Sequence, residues 1–328
     1  MKIATIGSGM IAKLFLDAIQ LVEGVECVAV YSRNEQTAKE LAELYKVDKY
    51  FMEIDDMFRD QAIDFVYIAS PNSVHYEQAK QALLSNKNVI CEKPLTSTYE
   101  QLVELVELAK AKDLFFFEAI TTTHLPNFKK FKNILHEVGN VRMVFANFLQ
   151  YSSRMDALKA GKITNVFDPK FSGGALMDLN VYNLHFAIAT FGKPENATYH
   201  PELFSNGIDI GGLLVLKYPG FIVSCAGGKH VQGQNNAVVY GEDGYITVDS
   251  EVSIFSSFEL NTKNKQKTYN QQSIENRMVY ELEDFKRVFE TRDLNEYKQW
   301  TDHSLLVYYV LHRARKEAGV IFEDDEAR

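Results

Sequence analysis

The sequence predicts an α/β chain in two parts: a doubly wound parallel sheet over residues 1–120, and an α+β domain with a large open, mainly antiparallel sheet over residues 121–328. Three observations predict it. A chain of 328 residues exceeds what one hydrophobic core usually serves. Residues 1–120 alternate short β-rich apolar runs with longer stretches of helical period, the pattern of a parallel sheet covered on both faces. Beyond Glu118 the texture changes to longer alternating runs separated by turn residues.

In the first part the strands are read at Lys2 to Ile6, Val25 to Tyr31, near Tyr50, Ile63 to Ala69, Asn88 to Cys91 and Leu114 to Phe117. Glu35 to Lys46, Val74 to Ser85 and Tyr99 to Lys110 carry helical periodicity between them. The second part has alternating runs at Val141 to Gln150, Gly212 to Tyr218, Phe221 to Ala226, Ala237 to Tyr240 and Tyr245 to Asp249. Pro219-Gly220 and Asp243-Gly244 join consecutive runs and predict two hairpins. Helices expected at Ala175 to Thr190, Glu275 to Glu290 and Trp300 to Glu317 would cover one face of that sheet.

Lys and Arg number 35 against 44 Asp and Glu, a formal charge of −9 with no long basic block. That argues against nucleic acid or an anionic membrane as partner. The start MKIATIGSGMIAKLF lacks the pattern of a cleaved leader, and no apolar run reaches membrane-spanning length, so a cytoplasmic protein is expected. Cys27, Cys91 and Cys225 form no CxxC pair and have no histidines at metal-ligand spacing. They read as reduced thiols, and no metal is expected.

The first strand runs straight into Gly7-Ser8-Gly9-Met10-Ile11-Ala12, and helical residues follow. This is the GxGxxA string of a dinucleotide-binding Rossmann turn. Gly7 permits the tight turn, Gly9 lets the backbone approach a pyrophosphate, and Ala12 allows close helix–strand packing. Gly7, Ser8, Gly9, Met10 and Ile11 are therefore candidate cofactor contacts, with the helix N-terminus offering unpaired N–H groups to the phosphates. At the tip of the second strand an NAD-preferring site would place a carboxylate on the ribose. The residues here are Tyr31-Ser32-Arg33-Asn34. A hydroxyl, Ser32, and a guanidinium, Arg33, stand where a 2′-phosphate would lie, which favours NADP while leaving NAD open.

Ser70-Pro71-Asn72-Ser73-Val74-His75 follows the fourth strand, and Cys91-Glu92-Lys93-Pro94 spans the end of the fifth. Both lie at carboxyl ends of parallel strands, where the ligand crevice of an open α/β sheet forms. The segments Ser70 to His75 and Glu92-Lys93 are thus candidates for the walls of a cofactor crevice. A lysine at this edge can hydrogen-bond both a ribose hydroxyl and a substrate oxygen. Further along, Ser172-Gly173-Gly174-Ala175-Leu176-Met177-Asp178 opens a helix on which Asp178, Tyr182 and His185 fall at i, i+4 and i+7. These three polar groups on an apolar face read either as a functional edge or as groups satisfied inside the core.

GSGMIA, SPNSVH and EKP, in that order and spacing, together with SGGALMDLNVYNLH, resemble the glucose-fructose oxidoreductase, inositol dehydrogenase and rhizopine-catabolism (Gfo/Idh/MocA) family over essentially the whole chain. Dihydrodiol dehydrogenases and sugar oxidoreductases with tyrosine at the acid-base position look most similar. The resemblance implies an NADP(H)-dependent oxidoreductase acting on a hydroxyl or carbonyl of a sugar, polyol or dihydrodiol. Lys93 matches the family's catalytic lysine, Tyr182 its acid-base position and Asp178 its acid. The resemblance also places Glu92 and Asn72 beside the nicotinamide ribose, with His75 close by. In the mechanism it implies, Lys93 polarises the oxygen and lowers the tyrosine pKa, while Asp178 positions that lysine or the substrate hydroxyls. Lys93, Asp178, Asn180 and Tyr182 are the expected substrate contacts. The chain departs from the family pattern at Asn180, where glycine is usual, and lacks an arginine common shortly after Glu118-Ala119.

Two other readings stay open: an NADP-binding regulator of the same fold without catalysis, which retention of Lys93, Asp178 and Tyr182 disfavours, and an enzyme that recycles a tightly held NAD. In the second domain Leu214, Leu216, Ile222 and Val238 alternate with Val215, Val223 and Val239, so apolar residues point to both faces of a sheet that has helices for one. A homodimer or homotetramer through that sheet is the expectation.

Overall fold

A computed structural model describes residues Met1 to Glu326. The chain divides into two compact units, the first made of Met1–Ala119 and Ile274–Asp302, the second of Ile120–Ser273 and the chain from His303.

The first unit holds β1 (Lys2–Ile6), β2 (Glu26–Tyr31), β3 (Lys49–Phe51), β4 (Phe65–Ile68), β5 (Asn88–Glu92) and β6 (Phe116–Ala119). They form one sheet in the order β3-β2-β1-β4-β5-β6, every pair parallel. β4 and β6 are buried along their whole length, as strands covered on both faces must be. The order reverses between β1 and β4, so the loops leaving these two strands lie side by side. A Cβ on Gly7 would stand 2.6 Å from the Ala69 carbonyl oxygen, and Gly7 has φ +115°, so no other residue fits the turn between them.

The helix Met278–Thr291 corrects one expectation. Its apolar stripe does not cover the second sheet. Met278, Val279, Leu282, Phe285 and Val288 join the core of the first unit with Ile3, Phe15, Phe65 and Phe117. The Phe285 ring stacks on Phe117 at 4.7 Å, and Phe289 meets Phe65 edge-on at 4.9 Å. The segment Ile274–Asp302, expected within the 121–328 domain, therefore belongs with the parallel sheet. A stripe of period 3.6 says that a helix is buried, not which core buries it.

The second unit is built on β7 (Val141–Leu149), β8 (Asn196–Leu203), β9 (Asp209–Tyr218), β10 (Phe221–Gly228), β11 (Asn236–Gly241), β12 (Gly244–Val248), β13 (Phe258–Thr262) and β14 (Lys265–Tyr269). Their order is β14-β13-β12-β11-β7-β10-β9-β8, with β7 and β10 parallel and every other neighbouring pair antiparallel. Hairpins join β9 to β10 at Pro219-Gly220 and β11 to β12 at Glu242-Asp243. β8, β13 and β14 were not expected. β8 and β14 are the two edges of the sheet, and an edge strand tolerates the Pro201 of β8 and the polar run of β14.

One face of this sheet is core. Val144, Ala146, Leu214, Leu216, Val223, Cys225, Val239, Ile246, Phe258 and Leu260 are buried there. Phe128 and Phe131 from the helix Pro126–Ile134, and Phe186 from the helix Val181–Phe191, pack with Phe255 and Phe258 against it. On the other face Met143, Phe145, Leu213, Ile222, Tyr240 and Tyr245 are exposed. They are neighbours in register: Met143 pairs with Ile222 on one side and Tyr240 on the other, and Tyr240 pairs with Tyr245. No helix among the described residues is long and apolar enough to cross a membrane.

Candidate active site

In the first unit the helix Met10–Ile19 begins at Gly9, whose φ of −73° and ψ of −177° suit any residue. A Cβ there would meet no atom of the chain within 4 Å. Nothing internal to the chain demands a glycine at this position. No side chain caps this helix start and no acid stands in its first turn. Its first N–H groups and positive dipole end thus remain available to phosphate oxygens. Ser8 is half-buried, while Met10 and Ile11 are exposed, Met10 by 74%. The residues fit a dinucleotide pyrophosphate.

At the tip of β2 the Ser32 hydroxyl accepts from the Asn34 amide at 3.2 Å, and Asn34 caps the helix Glu35–Tyr45 by accepting from Thr37 at 2.9 Å. Arg33, between them, is exposed. Among the described residues no ion pair engages its guanidinium, which leaves a cation on a rigid strand-to-helix turn.

His75 is 1% exposed and sits under this edge rather than on it. Nδ1 lies 2.9 Å from the Pro94 carbonyl oxygen and Nε2 2.8 Å from that of Ser70. Two facing carbonyls would suit an imidazolium, but burial, reinforced by Lys93 nearby, holds its pKa below the ordinary histidine value. His75 thus ties the loop after β4 to the loop after β5, and the expectation of a direct cofactor contact gives way to this. Ser70 donates to Gln78 at 2.6 Å, and Asn72 lies half-buried in the short helical turn Asn72–Val74. The Lys93–Pro94 peptide bond is cis, and Lys93 is half-buried.

Glu92 is buried below Lys93 and accepts a hydrogen bond from Tyr67 of β4 at 2.6 Å. Burial pushes its pKa up to about 7, against the Tyr67 hydrogen bond and the Lys93 charge, and Glu118 adds to the rise. Glu281 on the helix Met278–Thr291 is wholly buried, and among the described residues neither carboxyl oxygen has a hydrogen-bond partner. Burial and the neighbouring Glu92 hold it well above the ordinary range. This residue was missed because its partners come from strands some 160 to 190 positions earlier in the chain.

In the second unit the expected helix from Ala175 begins as a π-helical turn, Leu176–Asn180, before the regular helix Val181–Phe191. Such turns recur at functional sites. From Leu176 to Leu184 every residue is buried except Asp178 and Tyr182, which are half-buried. The start of the turn is set by Asp209 of β9, whose Oδ2 accepts from the Leu176 amide and the Tyr199 hydroxyl, both at 2.7 Å. Burial pushes Asp209 up to about 6, against those two hydrogen bonds. Gly173 and Gly174 are required here: a Cβ on Gly173 would lie 2.7 Å from Val166 backbone atoms, and one on Gly174, with φ +101°, 2.0 Å from Asp209 Oδ1.

Two expectations on this segment change. Asn180 is fully buried, donating to the Cys225 carbonyl at 2.9 Å and accepting from Asn183 at 2.9 Å. It fastens the turn to β10, so the expected substrate contact is not found at this residue. His185 faces the interior, 3.0 Å from His303 Nε2, instead of sharing the accessible edge with Asp178 and Tyr182. Both Tyr182 and His185 lie in the regular helix Val181–Phe191, where three residues of 3.6-period helix turn His185 about 60° round from Tyr182 and into the core.

Residues 1–120 match the family described as "Oxidoreductase family, NAD-binding Rossmann fold", and residues 128–247 match the GFO/IDH/MocA C-terminal domain. The chain belongs to the Gfo/Idh/MocA oxidoreductase family. Among relatives, it is 34% identical over 334 residues to the scyllo-inositol 2-dehydrogenase (NADP(+)) IolU of Bacillus subtilis, covering 99% of each chain. It is 32% identical to the uncharacterized oxidoreductase YgjR of Escherichia coli, covering 100% of this chain and 99% of the other. A 3-ketoreductase from Actinomadura kijaniata, solved with NADP and TDP-benzene, superposes with a TM-score of 0.85 at 20% identity, covering 98% and 99% of the two chains, a likeness of fold.

Within this Gfo/Idh/MocA chain one buried cation had no place in the sequence reading. Lys229 follows β10 and is 4% exposed at its side chain, with its ammonium hydrogen-bonded to Asp178 Oδ2. The available signal was a lysine ending an apolar strand behind Gly227-Gly228, which alone does not separate a buried cation from a surface one.

Proposed function

We propose that this member of the family is an NADP(H)-dependent dehydrogenase or reductase of a small polyhydroxylated substrate, a sugar, polyol or dihydrodiol. The observation that carries the reading is the segment Leu176–Leu184, which buries everything except one carboxylate and one phenol, Asp178 and Tyr182. A segment that buries seven of nine side chains and presents only an acid and a phenol offers the two groups that hydroxyl chemistry needs. Full-length similarity to an NADP(+)-dependent scyllo-inositol dehydrogenase supports the same cofactor and substrate class.

When bound, a nicotinamide cofactor would supply hydride chemistry at carbon. The protein supplies the rest. Tyr182 gives or takes the proton at the substrate oxygen, and Asp178 accepts a hydrogen bond from a neighbouring hydroxyl. Lys93 contributes the positive charge that stabilises the oxygen as it gains charge. Gly7, Ser8, Gly9, Met10 and Ile11 seat the pyrophosphate, Ser32 and Arg33 the 2′-phosphate, and Ser70, Asn72 and Glu92 line the nicotinamide side. A cytoplasmic setting belongs to this reading, with Cys27, Cys91 and Cys225 all free thiols. So does assembly: the exposed apolar face of the eight-stranded sheet pairs with a second copy, giving a homodimer, or a homotetramer through a further interface.

The test is turnover of NADP⁺ and NADPH across a panel of polyols, sugars and aromatic diols with their ketones, alongside Lys93→Met. The reading expects NADP-linked oxidation of at least one alcohol and loss of turnover with NADPH binding retained in the variant. Full activity in Lys93→Met would sink the assigned roles, and NADPH binding without any turnover would favour a regulatory protein.

A further inference from the structure

Lys229 is the most deeply buried cation with a link to the proposed chemistry. Its backbone is pinned on both sides, the amide donating to the Ile210 carbonyl and the carbonyl accepting from Ser152, each at 2.8 Å. The side chain runs inward, its ammonium 5.2 Å from the centre of the buried Phe167 ring and hydrogen-bonded to Asp178 Oδ2. The same charge reaches Asp209, which holds the first amide of the turn that carries Asp178. The adjacent His230 is committed elsewhere, to the Ile210 carbonyl and to Glu202, each at 3.0 Å.

An ammonium out of water demands a counter-charge, and Asp178 provides it. The asymmetry of the pair matters. Lys229 is inaccessible, whereas the Asp178 side chain keeps 33% of its surface. Lys229 therefore does not reach a substrate itself, but it restrains a carboxylate that keeps accessible surface. A hydrogen bond from a buried ammonium restrains the rotation of the Asp178 carboxylate and so holds its acceptor direction.

We propose that Lys229 is a positioning residue for Asp178: it holds that carboxylate in a fixed orientation as acceptor for a hydroxyl on the substrate. The inference rests on the functional reading above and adds to it the residue that orders the hydroxyl-binding edge. Loss of Lys229 acts on substrate binding through Asp178 alone.

The experiment uses the full chain as wild type, Lys229→Met, Asp178→Asn and the double variant. Initial rates are measured with NADP⁺ and scyllo-inositol, or the polyol of the panel that wild type oxidises fastest, and thermal midpoints are recorded for each protein. The proposal expects Lys229→Met to raise KM for the polyol about tenfold or more, with KM for NADP⁺ changed less than twofold. In the Asp178→Asn background the same substitution should change the polyol KM less than twofold. An equal further loss in both backgrounds, or a Lys229→Met protein with wild-type KM, overturns the proposal in favour of a purely structural lysine. If Lys229→Met alone does not fold, the double variant, which lacks both charges, is read against Asp178→Asn: equal KM supports the proposal and a further rise overturns it. A wild type that oxidises no alcohol overturns the functional reading and this inference with it, whereas an active wild type with additive variants overturns only the inference.

Discussion

The Tyr67 hydroxyl donates to the Glu92 carboxylate at 2.6 Å inside the parallel sheet, one residue before Lys93. Burial outweighs this hydrogen bond and raises Glu92 from 4.5 to about 7. The groups around it are Tyr67 on β4, Cys91 and Lys93 beside it, Glu118 on β6, and Glu281 and Arg277 at the helix Met278–Thr291. A carboxyl whose pKa is higher in the folded state binds its proton more tightly there. Stability therefore falls as pH rises from about 4.5 to about 7 and levels off above, by roughly 3 kcal/mol for this residue taken alone. Glu92→Gln should flatten that part of the profile and lose least stability above pH 7. Thermal midpoints of both proteins between pH 4.5 and 8.5 check it, and parallel curves would show that Glu92 does not carry the raised pKa.

Gly9 separates a structural glycine from a ligand-required one. Since a Cβ there meets no chain atom within 4 Å, Gly9→Ala should shift stability by less than about 1 kcal/mol. NADPH affinity should nevertheless fall at least tenfold, because the methyl group would occupy the approach of the pyrophosphate. Fluorescence titration with NADPH, set beside a thermal melt, reads both quantities. Unchanged affinity would remove the helix start at Met10 as the phosphate seat.

The proposed function makes Arg33 the residue on which cofactor preference turns. Losing a charge-assisted hydrogen bond costs roughly 1.5 to 3 kcal/mol, about 10- to 150-fold in affinity. Arg33→Ala should therefore weaken NADPH by that factor and NADH very little, as measured by dissociation constants for the two cofactors. An equal loss for both would assign Arg33 to the shared part of the cofactor.

The open face of the second sheet predicts assembly. Ile222 lies in register with Met143, and Phe145 and Tyr240 flank them in an exposed apolar patch. Light scattering at micromolar concentration should give a mass of at least twice the 37.4 kDa chain. Ile222→Glu should shift it toward the monomer by placing a charge in the buried interface. A monomeric wild type rules the sheet-mediated dimer out.

Much of the candidate site was readable as a candidate from local sequence, for reasons particular to each residue. Gly7 and Gly9 announce themselves because a strand must turn sharply into a helix, and the loops ending at Asn72 and Lys93 because parallel strands present their carboxyl ends to ligands. Asp178 and Tyr182 stand out as polar groups in an apolar helical stretch. All of these signals span a few residues, and the chemistry they report is set by backbone geometry within one turn.

What only the tertiary structure decided involves contacts between distant segments. The strand order around β1 and β4, the burial of the helix Met278–Thr291 against Phe65 and Phe117, and the pairing of Lys229 with Asp178 join positions 51 or more residues apart. His75 and Asn180 looked like ligand contacts because their polarity is visible in sequence. The carbonyls of Ser70, Pro94 and Cys225 that absorb that polarity are not. Sequence shows which residues can donate, accept or carry charge; whether they meet a substrate or the chain itself depends on which backbone groups folding places opposite them.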